Sequence, residues 1–209
     1  MAIDGMRFSS DKIEAARASM MKDEQMPEYI FPLLRYHDRI TQLTGEDLTY
    51  LLYRPTLTYN GYYMVTDVKP VTVAPEEEPL TESEFGEKAC EYLDKIRNLC
   101  ENEGIELVLY KAPSLYPYWH EEWEKQVKDY AKKYQLRYYN LLEAEIGLDY
   151  STDTYDAGMH FNVYGAEKIA DYIGGRLQDE CGLKSRRGEQ RLEKYWGELV
   201  EKYRRQKED

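Results

Sequence analysis

The chain has 209 residues, 42% of them hydrophobic, which suits one cored domain with a helical appendage and excludes a wholly disordered chain. Its formal net charge of −12 argues against nucleic acid or an anionic lipid surface as partner. No apolar run approaches the roughly 18 residues of a membrane span, and the opening MAIDGMRFSSDK contains no apolar signal-peptide core. The three cysteines, Cys90, Cys100 and Cys181, form no CxxC pair and read as buried free thiols.

Residues 10 to about 53 read as helical. Ser10 is placed to cap a helix whose Ile13, Ala16 and Met20 share a face. Pro27 opens a second helical segment with Ile30, Leu33, Leu34 and Ile40 at helical spacing. Thr44 and Asp47 frame a third, short helix. After Pro55, the Asn60-Gly61 pair lies between two β-prone flanks and predicts a hairpin, because both turn positions need positive φ. Residues 71–84 are rich in Pro and Glu and read as a linker.

From Thr81 the pattern changes. Thr81 and Glu84 match a capping box. Phe85, Ala89, Tyr92, Leu93, Ile96, Leu99 and Cys100 then recur at helical spacing, and Gly104 is placed to stop the helix. Residues 105–110 form an apolar strand signal, the loop KAPSLYP follows, and a helix carries Trp119, Trp123, Val127, Tyr130 and Tyr134. A second strand is expected at 136–142. A loop rich in Asp, Thr and Gly leads to His160, and Asn162 is placed to cap a last core helix with Ala166, Ile169, Ala170, Ile173 and Leu177 inward. Residues 185–209 predict a charged amphipathic helix with Leu192, Trp196, Leu199 and Tyr203 along one stripe.

This alternation is the rhythm of an α/β fold with a parallel sheet, whose functional loops leave the carboxyl ends of its strands. Three regions follow: a helical region with hairpin and linker over 1–80, an α/β region over 81–184, and the terminal helix over 185–209. Two strands are too few for a stable sheet alone, so further strands are expected from elsewhere, and an exposed sheet edge makes a homo-oligomer conceivable.

Three histidines bound the chemistry. His37 sits among Arg and Tyr in a predicted helix and reads as a packing residue. His120 follows Trp119 near a strand-end loop. His160 is delivered by an acidic loop just ahead of a helix, with Asp153 and Asp156 upstream. A carboxylate beside an imidazole fixes its tautomer and stabilises imidazolium, as a general base for a serine requires. The competing reading is that the aspartates shape the turn and His160 caps it. No ligand set with metal spacing and no Gly-rich phosphate loop is present, so neither a metal nor a nucleotide cofactor is expected.

The segment YDAGMHFNVYGAEKIADYIG resembles the last motif block of SGNH (GDSL-like) hydrolases, nearest to bacterial members related to cell-wall acyl transfer and polysaccharide O-acetylation. IELVLYKAPSLYPYW resembles their strand and loop before the final βα unit, and IDGMRFSSDKIEA a segment downstream of their nucleophile. The resemblance implies a three-layer α/β/α flavodoxin-like sheet, incomplete here on its N-terminal side. It implies His160 as base and Asp156 as its orienting partner, with Asp153 the alternative. Two departures stand out. The family spacing is Asp-x-x-His, whereas Asp156 and His160 have Ala157, Gly158 and Met159 between them. The Gly-Asp-Ser-like turn that carries the family's nucleophile is not found before residue 105, and Ser114 follows a strand only in the later loop. An enzyme of this type without its serine loses on the order of a million-fold in rate.

The implied activity is hydrolysis or transfer of an ester-linked acyl group, on a small molecule or a glycan, with Ser114, Tyr116, Tyr118 and Trp119 as candidate substrate contacts. The alternative is a non-catalytic carbohydrate-binding or interaction module. The chain taken alone suggests a cytoplasmic protein; the resembled relatives suggest an extracytoplasmic one.

Overall fold

A computed structural model describes residues 6–31, 34, 42, 44–45, 61–73, 75–77, 79–80 and 85–208. The chain divides into two compact units, Met1–Leu57 and Thr58–Asp209. Among the described residues there are six helices and two strands. His37, Asn60, and the Thr81 and Glu84 of the expected capping box lie outside the described residues.

In the first unit, α1 spans Ser10–Ser19 and α2 spans Met26–Ile30. The cap of α1 is Ser9, one residue earlier than the pattern suggested: its hydroxyl accepts the Lys12 amide at 3.1 Å. Ala16 is buried as expected, and Lys12 is buried beside it with its ammonium on the Met6 carbonyl. Pro27 stands in the first turn of α2, where a missing amide hydrogen leaves no bond unmade. Tyr29 is fully buried and donates its hydroxyl to the Glu24 carboxylate.

The second unit is mixed α/β. Helix α3 (Glu87–Glu103) leads into β1 (Val108–Lys111), α4 (Glu121–Lys133), β2 (Arg137–Asn140), α5 (Val163–Glu180) and α6 (Gln190–Glu208). Strands β1 and β2 pair in parallel, Val108 opposite Arg137 and Lys111 opposite Asn140, so α4 is the crossover that a parallel pair requires. Gly104 stops α3 in the left-handed conformation at φ 64°, its amide bonded to Cys100 and Glu101 carbonyls. Among the described residues of this unit, the buried apolar side chains are those of Leu141, Tyr139, Ala131 and Val163. Among the described residues, no helix is long and apolar enough to cross a membrane.

The interior is thinner than the sequence pattern implied. Helix α3 buries no residue; it leans on α4 through Asp94, which accepts the Tyr130 hydroxyl at 2.8 Å, and Arg97, whose guanidinium lies 4.0 Å from the Tyr134 ring centre. Its apolar residues Tyr92, Ile96 and Leu99 face solvent. Of the residues expected to point inward from α5, Ala170 is exposed and the other four are half-buried. Cys90 is exposed and Cys100 and Cys181 are half-buried, so these thiols are not core members. The physical reason is shared: a sheet of two strands, with no strand on the far edge of β1 among the described residues, offers too little apolar surface to cover these helix faces.

Candidate functional site around His160

The loop from β2 to α5 is built on buried polar groups rather than apolar ones. Asp153 is 2% exposed, and its carboxylate accepts the Asp149 amide and the Lys168 ammonium, each at 2.7 Å. Thr154 pairs with Phe161 as an isolated antiparallel bridge, which closes the segment between them into a loop. Asn162 is fully buried and ends the loop. Its carboxamide oxygen accepts the Tyr164 and Gly165 amides, capping α5, while its Nδ2 donates to the carbonyls of Asp67 and Thr152. Gly165 lets the helix seat here, since a Cβ would stand 2.6 Å from the Asp153 carbonyl oxygen.

Within this closed loop Asp156 and His160 meet. One oxygen of the Asp156 carboxylate accepts the His160 backbone amide at 2.6 Å, and the other lies 2.5 Å from the ring Nδ1. Ala157 and Gly158 both hold positive φ, 63° and 98°, and their left-handed turn folds the intervening residues so that the carboxylate reaches the ring. The longer spacing is thus accommodated by backbone handedness. Burial pushes the Asp156 carboxyl up, but the hydrogen bonds from the His160 ring and amide outweigh it and hold the carboxyl below its ordinary range. Tyr155 stacks on the imidazole, ring centres 5.8 Å apart and planes 15° from parallel. The His160 side chain is 61% exposed, and its only hydrogen-bond partner among the described residues is Asp156, so Nε2 is left to solvent or to a reactant. Of the two aspartates left open by sequence, Asp156 is the one paired with the ring, and Asp153 is committed to holding the loop.

A segment that the sequence pattern left as hairpin flank and linker supports this loop. Val65 accepts the Val163 amide, the Lys69 amide donates to the Thr154 carbonyl, the Lys69 carbonyl accepts the Thr154 hydroxyl and the Ala157 amide, and the Val71 amide donates to the Tyr150 carbonyl. The odd-numbered residues 65, 67, 69 and 71 supply every one of these bonds and the one to Asn162. Pro70 falls at an even position, where this pairing needs no donor. The stretch MVTDVKPVTV has no alternation of apolar and polar residues, its apolar members falling at 64, 65, 68, 71 and 73, so periodicity offered no signal for it.

The loop after β1 meets the same place. The Leu115 amide donates to the Gly158 carbonyl at 2.9 Å, and the Tyr150 hydroxyl donates to the Pro113 carbonyl at 2.6 Å. Ser114 is nearby in sequence, but its hydroxyl is folded into its own turn, donating to the Tyr116 carbonyl and accepting the Tyr116 amide. No serine hydroxyl among the described residues is bonded to His160. The other aromatic candidates pack on α4. Trp119 donates its indole N–H to Glu124 and sets its ring edge-on to Trp123, while Tyr118 and Trp123 flank His120, which is 6% exposed. Tyr116 is half-buried and joined to Pro117 by a cis peptide bond. Thus Ser114 is brought toward the His160 loop, whereas Tyr118 and Trp119 belong to a separate cluster. Lys111, whose ammonium caps the Ala112 and Ser114 carbonyls, has its pKa lowered by burial against a smaller opposing pull from Glu124.

Among the described residues, no group of three or more His, Cys, Asp or Glu side chains is placed to hold a metal ion. Comparisons with models of protein families, with curated proteins and with solved structures find no match to this chain.

Proposed function

We propose that this chain carries the histidine–aspartate half of an SGNH-type serine esterase or acyltransferase, acting on ester-linked acyl groups of a small molecule or glycan. The observation that carries the reading is the two-point grip of Asp156 on His160. A carboxylate on Nδ1 holds the imidazole in the tautomer whose Nε2 accepts a proton, and it stabilises the imidazolium that results. Asp156 would orient and His160 would take the proton from a serine hydroxyl and return it to the leaving oxygen. The stacked Tyr155 would limit rotation of the ring.

The serine is proposed to come from outside the described residues, on a strand that completes the sheet. Two features support this: among the described residues the sheet has only β1 and β2, and apolar residues of α3 are exposed. The test is p-nitrophenyl acetate hydrolysis and fluorophosphonate labelling of the product of the entire gene, with and without His160→Ala. Labelling of one serine together with ester hydrolysis that His160→Ala removes is the expected result. An entire gene product that neither labels nor hydrolyses the ester would overturn the proposal.

A further inference from the structure

Helix α6 is divided along its length. Its C-terminal half is docked on α5: the Tyr203 hydroxyl and the Lys207 ammonium donate to the two oxygens of Glu167, at 3.0 and 2.6 Å. Its N-terminal half presents Tyr195 and Trp196, 51% and 52% exposed. With Leu192, Arg186, Arg187 and Glu193 these rings line an open, mostly apolar groove of about 720 Å³.

The charge around this groove is opposite to that of the chain. Residues 184–209 hold nine Lys and Arg against six Asp and Glu, in a chain with 28 against 40. Arg186 is neutralised by Glu189 at 2.7 Å, but among the described residues Lys184, Arg187, Arg191 and Lys194 are in no ion pair. Gly197, one turn after Glu193, has no atom of the described residues within 4 Å of where a Cβ would stand, so no neighbour among them requires a glycine there. A glycine inside a helix is destabilising by roughly 0.5–1 kcal/mol relative to alanine, and it leaves the helix backbone open to close approach. Tryptophan, tyrosine and arginine together are the residues that dominate binding energy at protein interfaces.

We propose that this groove binds an acidic peptide segment of a partner protein. Its carboxylates would lie on Arg187, Arg191 and Lys194, and an apolar side chain would lie between Leu192 and Trp196. A planar anionic bilayer fits less well, because Glu193 stands in the groove wall and the chain as a whole carries −12.

The test is fluorescence anisotropy of a short labelled peptide of glutamates with leucines at helical spacing, titrated with the whole chain. The expected result is saturable binding, weakened on the order of tenfold or more by Arg187→Glu and by Trp196→Ala. The same peptide with glutamine for glutamate should bind far more weakly. Arg187 precedes α6, so its variant reports on the groove even if Trp196→Ala unwinds the helix. Absence of peptide binding overturns the proposal, as does equal binding of the glutamine peptide or binding unchanged in both variants. Binding to phosphatidylglycerol vesicles without the peptide, or self-association that Trp196→Ala abolishes in place of peptide binding, would also overturn it.

Discussion

The Leu115 amide donates to the Gly158 carbonyl at 2.9 Å, joining the loop that ends β1 to the loop that presents His160. Gly158 sits at φ 98°, and a Cβ there would stand 2.8 Å from a Leu115 methyl and 2.9 Å from a Val71 methyl. Three chain segments therefore converge on a residue with no room for a side chain. Gly158→Ala is expected to lower stability by about 2 kcal/mol, combining left-handed strain with displacement of both neighbours. Urea denaturation of the variant checks this, and a loss below about 0.5 kcal/mol would show that the junction yields freely.

Asp156 gives a prediction with a pH sign. Its folded pKa is held below the ordinary value by the His160 hydrogen bonds, which outweigh the opposing effect of burial. A depressed carboxylate contributes stability that is complete above its unfolded pKa of about 3.9 and is lost as pH falls through the folded value. Asp156→Asn should therefore destabilise the chain at neutral pH, and the gap between the two melting curves should close as pH falls below about 4. A gap that stays constant into that range would mean that the carboxylate charge is not what matters. In an active entire gene product the same change should lower kcat on the order of 10³–10⁴-fold, because asparagine favours the wrong tautomer.

Asn162 is the keystone of the loop on the α5 side. Its side chain uses both ends: the oxygen caps the helix and Nδ2 reaches carbonyls from two segments, Asp67 and Thr152, in a fully buried position. Asn162→Ala removes the cap and leaves buried carbonyls with a lost donor, at a cost of about 3 kcal/mol. Asn162→Asp keeps the cap but places a charge against those carbonyls, so it should not restore stability. Thermal unfolding of both variants, with amide exchange at Tyr164 and Gly165, separates the two contributions.

These predictions rest on features that were unequally visible in the sequence. Gly104 and Asn162 were readable because a stop glycine and a capping asparagine act locally, through their own backbone neighbours. The parallel strand pair was readable from two short apolar runs, although Ile105 and Leu136 lie outside the paired residues. The Asp156–His160 contact was only half readable, since it depends on Ala157 adopting positive φ, which no composition rule demands. The partnership of Lys69 and Val71 with the His160 loop spans about eighty residues of sequence, and the stretch that carries it has no apolar alternation to announce it. Helix α3 misled most: its spacing described an apolar face correctly, but periodicity does not say whether a neighbour covers that face.

Glu124 shows the same dependence on assembled surroundings. It lies in the first turn of α4 and is nearly buried, where a carboxylate needs partners. One oxygen accepts the Trp119 indole at 2.8 Å and the Tyr138 hydroxyl at 2.7 Å; the other faces the Lys128 ammonium at 2.9 Å. Burial pushes the Glu124 carboxyl up, yet Lys128, Trp119 and Tyr138 together hold it below its ordinary range. Burial, and then the bond to Glu124, push the Tyr138 phenol up in turn. Glu124→Gln preserves the shape and one acceptor but removes the charge that strengthens both bonds. The expected loss is about 1–2 kcal/mol, the difference between charge-assisted and neutral hydrogen bonds. Tryptophan emission should shift as the Trp119 indole loses its charged partner on α4, whereas helix content should hold. A variant with unaltered emission and stability would show that α4 is fixed by its apolar contacts, with the carboxylate a passenger. A loss confined to low pH in the parent chain, and missing from Glu124→Gln, would instead identify Glu124 as the group whose protonation releases Trp119 and Tyr138.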